Sequence, residues 1–76
     1  MNLRDASEAT KKMICHLALL GWETLPGGGF AIAAGGIEDE ARELFGAESI
    51  SGDRVVVRGE RGESFMALYR QAAVSH

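Results

Sequence analysis

Apolar residues recur at helical spacing near the start of the chain, where Ala6, Ala9, Met13, Ile14, Leu17 and Leu20 fall on one stripe. Asp5-Ala6-Ser7-Glu8 supplies an N-cap at Asp5 with a glutamate three positions on, and Gly21 supplies a stop, so the spacing predicts a helix from Ala6 to Leu20. At 100° per residue Cys15 and Leu19 point away from that stripe, which leaves the last two turns apolar nearly all round. "GWETL" and "FAIAA" follow as two short runs joined by Pro26 and three glycines, the pattern of a hairpin with a loop of about four residues. Phe30, Ile32 and Ala34 share one face of its second strand. Helical period returns in "IEDEARELFG", with Ile37, Ala41, Leu44 and Phe45 on one side and Gly46 as the stop. "AESI" and "DRVVVR" flank a Ser-Gly-Asp turn and predict a second hairpin, whose Val55-Val56-Val57 run is strongly β-branched. After the polar link "GERG", the stretch "ESFMALYRQAAV" reads as a helix with Phe65, Leu68, Tyr69 and Ala72 on one face; a strand over Ser64–Tyr69 is the alternative.

The resulting order is α-β-β-α-β-β-α, an α+β fold in which two hairpins build an antiparallel sheet and the helices pack on one of its faces. With 76 residues, residues 1–76 form a single domain, because so short a chain buries only about 60% of its unfolded surface. A composition 46% apolar and 25% charged is that of a folded domain, not a disordered one. Domains of this size usually carry a staple or a partner, and the single cysteine, Cys15, excludes an internal disulfide. Self-association, as a homodimer, and binding to another protein both gain weight from this. The apolar run Ile14 to Leu20 is about one third of a membrane span, and the charged residues before it do not make an export signal. One unpaired thiol suits a reducing compartment, so the expected location is the cytoplasm, with no membrane partner.

Gly27, Gly28, Gly29, Gly35 and Gly36 crowd the segment "LPGGGFAIAAGG" and invite a phosphate-cradle reading. A dinucleotide fingerprint counted from Gly27 needs glycine where Ile32 stands, and a Walker loop needs a lysine where the chain has none beyond Lys12. Glu38, Asp39 and Glu40 already occupy the start of the following helix and would repel an anion there. The glycines therefore read as a hairpin tip and a helix lead-in, and no cofactor is expected. Catalysis finds no constellation either. His16 and His76 have no spacing that predicts a partner, Cys15 and His16 diverge by 100° on a helix, and "GESFM" carries Met66 where a nucleophile elbow needs its second glycine, which leaves Ser64 as a helix cap. One cysteine and two scattered histidines fall short of a zinc ligand set. The chain reads as neither an enzyme nor a metal protein. A small-molecule pocket lined by Trp22, Phe30 and Tyr69, in a homodimeric or regulatory domain, is the alternative, although a domain of this size rarely spares the volume.

Charge then separates two poles. Glu38, Asp39, Glu40 and Glu43 spread over the outer surface of the second helix, while Arg54, Arg58 and Arg61 cluster around the last strand, with Arg54 and Arg58 outward if Val55 and Val57 point inward. A net charge of −3 and the absence of interleaved aromatics argue against direct nucleic-acid binding through the arginines, which stands as a second alternative. By elimination, the expectation is a protein-binding module. Its expected partner surface is Glu38, Asp39, Glu40 and Glu43 with the apolar flank of Cys15 and Leu19, meeting a protein with a basic surface. A small acidic domain of this kind has the general character of the inhibitors, anti-CRISPR proteins among them, that phages and mobile elements direct at nucleic-acid-handling machines by steric or electrostatic blocking.

Overall fold

The computed structural model describes residues 6–74. Three helices and four strands follow the expected order: α1 (Glu8–Leu20), β1 (Glu23–Thr24), β2 (Gly29–Ala33), α2 (Glu38–Phe45), β3 (Ile50–Ser51), β4 (Arg54–Arg58) and α3 (Gly59–Val74). The strands form one antiparallel sheet in the order β1-β2-β4-β3, so the second strands of the two hairpins lie side by side at its centre. Phe30 faces Val57 and Ile32 faces Val55 across that central pair, which places all four buried side chains on one face of the sheet. The three helices pack on this face.

Several local expectations shift. The cap of α1 is Ser7, whose Oγ accepts from the Thr10 backbone N–H at 3.1 Å, so the helix starts at Glu8 and not at Ala6; Asp5 lies outside the described residues. A serine two residues further on offers the same acceptor at the right spacing for N3. Leu20 shares the angular position of the core stripe but is exposed, because the helix ends at the Gly21 cap before anything covers it. "AESI" is strand only at Ile50; Ala47–Ser49 forms a 3-10 turn held by bonds from the Ser49 N–H and hydroxyl to the Gly46 carbonyl. "GERG" belongs to α3, so Ser64 is an exposed mid-helix residue and caps nothing, and the alternative strand at Ser64–Tyr69 does not form. Met66 joins Phe65 and Ala72 in the core, whereas Leu68 and Tyr69 are only half-buried.

The core centres on three rings drawn from different elements. Phe30 of β2, Phe45 of α2 and Phe65 of α3 lie with centroids 6.1, 5.9 and 5.2 Å apart, two pairs edge-on and one stacked. Of the three residues named for the alternative pocket, Phe30 is sealed among the other two phenylalanines, while Trp22 packs edge-on against Tyr69 near the surface. The glycine segment serves this packing. Gly27 follows Pro26 with φ 85° in a turn closed by the Gly28 N–H on the Leu25 carbonyl, the pattern of a type II turn. Gly29 and Gly62 then meet: a Cβ on Gly62 would collide with the Val57 carbonyl oxygen and come within 2.7 Å of the Gly29 Cα. The first turn of α3 rests directly on backbone there, and the Glu63 carboxylate accepts from the Gly29 N–H at 3.2 Å.

Two substitutions test this packing. Phe30→Ala should cost about 3–5 kcal/mol of unfolding free energy, a large share of what a small domain possesses, measured by urea titration with Trp22 fluorescence. Gly62→Ala sets two effects against each other. Helix propensity favours alanine by about 1 kcal/mol, but the backbone contact gives no room, and the expected net outcome is a loss of about 1–3 kcal/mol in the same titration.

Candidate partner-binding surface

The site forms where α1 and α2 lie against each other. On α2 the burial of Ala41 and Phe45 turns Asp39 and Glu43 outward, and Glu40 falls on the flank facing α1. On α1 the burial of Met13, Ile14 and Leu17 turns Cys15 and Leu19 outward, as their helical angle predicts. The thiol is exposed, not half-buried as a small apolar residue in an apolar stretch would suggest, because α2 covers the helix one turn earlier. A groove of about 470 Å³ runs between the two helices, with Glu8, Lys11, Cys15, Asp39, Glu40 and Glu43 on its walls. Four of the six residues proposed from the chain alone therefore share one surface feature. Leu19, 83% exposed, stands one helical turn beyond Cys15, and Leu20 and Trp22 extend the apolar side. Glu38 lies apart, its carboxylate accepting from the Gly36 N–H at 3.1 Å.

The acids are not equivalent. Lys12 Nζ lies 3.2 Å from Glu40, Arg42 Nη1 lies 2.7 Å from Asp39 and Lys11 Nζ lies 3.5 Å from Glu8, so three carboxylates have a cation beside them. Glu43 has none among the described residues and is the free negative charge of the groove. A hydrogen bond from its own backbone, joined by the Lys12 ammonium, holds the Glu40 carboxyl below its ordinary value. No periodicity in the chain foretold Lys12 as the partner of Glu40, since a contact between two helices leaves no local spacing.

The arginine pole divides. Val55 and Val57 point inward and Arg54 and Arg58 outward, as expected, but Arg54 pairs with Glu23 across the outer face of β2. Arg61 is on α3, where Nη1 donates to the Phe45 carbonyl at 2.6 Å and lies 3.7 Å from Glu48. Only Arg58 remains without a carboxylate within ion-pair distance among the described residues. One free guanidinium is poor footing for a nucleic-acid backbone, which is held by several cations at once. His16 is engaged as well: its Nε2–H donates to the Ala33 carbonyl at 2.8 Å, tying α1 to the end of β2. Among the described residues no three His, Cys, Asp or Glu side chains gather as a metal ion would require, and no helix is long and apolar enough to cross a membrane.

Because its carboxyl titrates lower in the folded state than in the unfolded chain, Glu40 contributes stability above its ordinary value of 4.5, lost as pH falls through the folded one. Lys12→Gln should raise the Glu40 value only part of the way back, since the backbone bond is the larger cause and persists; a carboxyl-carbon NMR titration of both proteins reads this directly. No family model, curated protein or solved structure matches the chain, so the functional reading rests on this geometry alone.

Proposed function

We propose that the domain is a protein-binding module that lays its α1–α2 face on a basic protein surface. The observation that supports it most is the adjacency, across the groove, of an unpaired carboxylate at Glu43 and an exposed thiol at Cys15, with the apolar side chain of Leu19 projecting one helical turn beyond the thiol. An apolar contact next to a free charge is the composition of a protein interface, where the apolar part gives affinity and the charge selects and orients the partner. Nucleic-acid-handling machines offer basic grooves of the complementary kind, and a domain this small and acidic acts on them as an inhibitor, by occupying the groove. Its place of action is the cytoplasm, where Cys15 stays reduced. This class of inhibitor includes the anti-CRISPR antagonists that mobile elements carry, to which the chain is likened by size and charge only.

The test is affinity capture from the host cell, comparing the unaltered domain with three variants. Glu43→Lys and Leu19→Glu should each reduce recovery of the captured protein at least tenfold, and Arg70→Glu, at an exposed position on α3, should leave it unchanged. Retention should also weaken with added salt for the unaltered domain and less so for Glu43→Lys. Recovery of the bait alone, or a loss confined to Arg70→Glu, would overturn the reading.

A further inference from the structure

The sheet leaves one stretch of its interior strand open. β4 pairs with β2 along all five residues from Arg54 to Arg58, but β3 covers only Arg54 and Val55. Which backbone groups are left open follows from the bonds that flank the β2–β4 ladder. The Ala34 N–H donates to the Asp53 carbonyl and the Gly59 N–H to the Gly28 carbonyl, which makes Ala33↔Arg54 and Gly29↔Arg58 non-hydrogen-bonded pairs. Alternation makes Ala31↔Val56 a pair of the same kind, so the N–H and C=O of Val56 and Arg58 point away from β2. The Ile50↔Val55 pair directs the Val56 N–H at the Ser49 carbonyl, and the Arg58 carbonyl opens the bond ladder of α3, which leaves the Val56 carbonyl and the Arg58 N–H as the open acceptor and donor.

A groove of about 380 Å³ opens along that edge. Phe45, Val56 and Val57 give it apolar walls, Glu48 and Ser49 lie at the end where β3 stops, and Arg58 and Arg61 complete it, with Arg61 offsetting the Glu48 charge. Arg61 is held in place by the Phe45 carbonyl and lies near Glu48, while Arg58 is exposed and lacks an acid partner. The open stretch Val56–Arg58 is about 10 Å long at strand rise, enough to align three residues of an extended chain.

Three occupants compete for such an edge. A phosphodiester chain offers acceptors only and cannot answer an edge that alternates donors with acceptors. A second copy of β4 would bring Arg58 of each chain onto the same three-residue stretch, placing like charges together. An extended peptide matches the backbone and, if acidic, the free guanidinium as well.

We propose that the open edge of β4 from Val56 to Arg58 accepts an extended segment of a partner protein as an added strand, with an acidic side chain of that segment on Arg58. Strand alternation sets the motif. The residue that answers Arg58 lies on the outer face, so the residue next to it points toward Phe45 and is apolar. The recognised segment thus alternates acidic and apolar residues. This surface is separate from the α1–α2 face and its test does not depend on that face.

The probe is a capped pentapeptide alternating glutamate and valine, titrated into the isotope-labelled domain and followed by amide NMR. The expected result is saturable shifts centred on the Arg58 amide, with its hydrogen exchange slowed. The lysine–valine counterpart should bind at least tenfold more weakly, and Arg58→Glu should invert that preference without disturbing the rest of the spectrum. Methylating the peptide nitrogens that would face β4 should abolish binding. Equal binding of the methylated peptide would overturn strand addition, as would shifts confined to α1 and α2. Stronger displacement of the same amide by a single-stranded oligonucleotide, or by the domain's own dilution from a dimer, would assign the edge to another occupant and overturn the proposal.

Discussion

The meeting of Phe30, Phe45 and Phe65 is the constraint on which the rest of the molecule hangs. Each ring comes from a different element, and with 5.2 to 6.1 Å between centroids none can shift without opening the other two contacts. Because Phe30 points to one side of β2, and Val55 and Val57 of β4 point the same way, the helices that deliver the other two rings must lie on that side. The opposite face of the sheet is left to Glu23, Arg54 and Arg58, with Ala31 shielded beneath the Glu23–Arg54 pair that spans it. A domain of this size has apolar side chains enough to cover one face of a sheet, and the second is closed by charge.

Seating Phe65 requires the start of α3 to come down onto the ends of β2 and β4, and this decides what the edge of the sheet looks like. Gly29 and Gly62 allow backbone to rest on backbone there, and the descent carries Arg61 to the Phe45 carbonyl. The chain turns into α3 immediately after Arg58, and β3 is only two residues long, so no strand pairs with the last three residues of β4 on that side. An open edge in a small sheet is normally an aggregation hazard blunted by charge. Here Arg58, Arg61 and Glu48 stand around it, and of these Arg58 alone lacks an ion-pair partner among the described residues.

The α1–α2 face arises from a different economy of contacts. α1 is clamped to the domain by Met13, Ile14 and Leu17 below and by the His16 bond to Ala33, so its outer side is free to carry residues that play no part in the fold. Of the four acids of α2, Asp39 and Glu40 are answered by Arg42 and Lys12, which leaves Glu43 as the unpaired charge of the groove and Glu38 apart from it on the Gly36 N–H. Counting acids along the chain overstates the field of such a patch, because cations on the neighbouring helix do not enter the count.

Element order, the two hairpins, the antiparallel sheet, the inward valines and the outward Cys15, Leu19, Arg54 and Arg58 were legible in the chain, since each follows from a period of 2 or 3.6 and from glycine, proline or serine at an element's end. Of the candidate site, the outward faces of α1 and α2 could be read separately, but not that Cys15, Asp39, Glu40 and Glu43 would share one groove while Glu38 would not. Those facts depend on how two helices approach each other, as do the Lys12–Glu40 and Glu23–Arg54 pairs, whose members lie far apart in the chain. Boundaries shifted where other contacts overrode a local signal: "GERG" became helix because Phe65 and Gly62 meet the sheet, and "AESI" kept its strand only at Ile50 because Ser49 bonds back to Gly46 in a 3-10 turn. Local periodicity thus determined which side of every element is apolar; only the packing of those sides against one another decided which polar groups were left unpaired, and it is on unpaired groups that a binding surface is built.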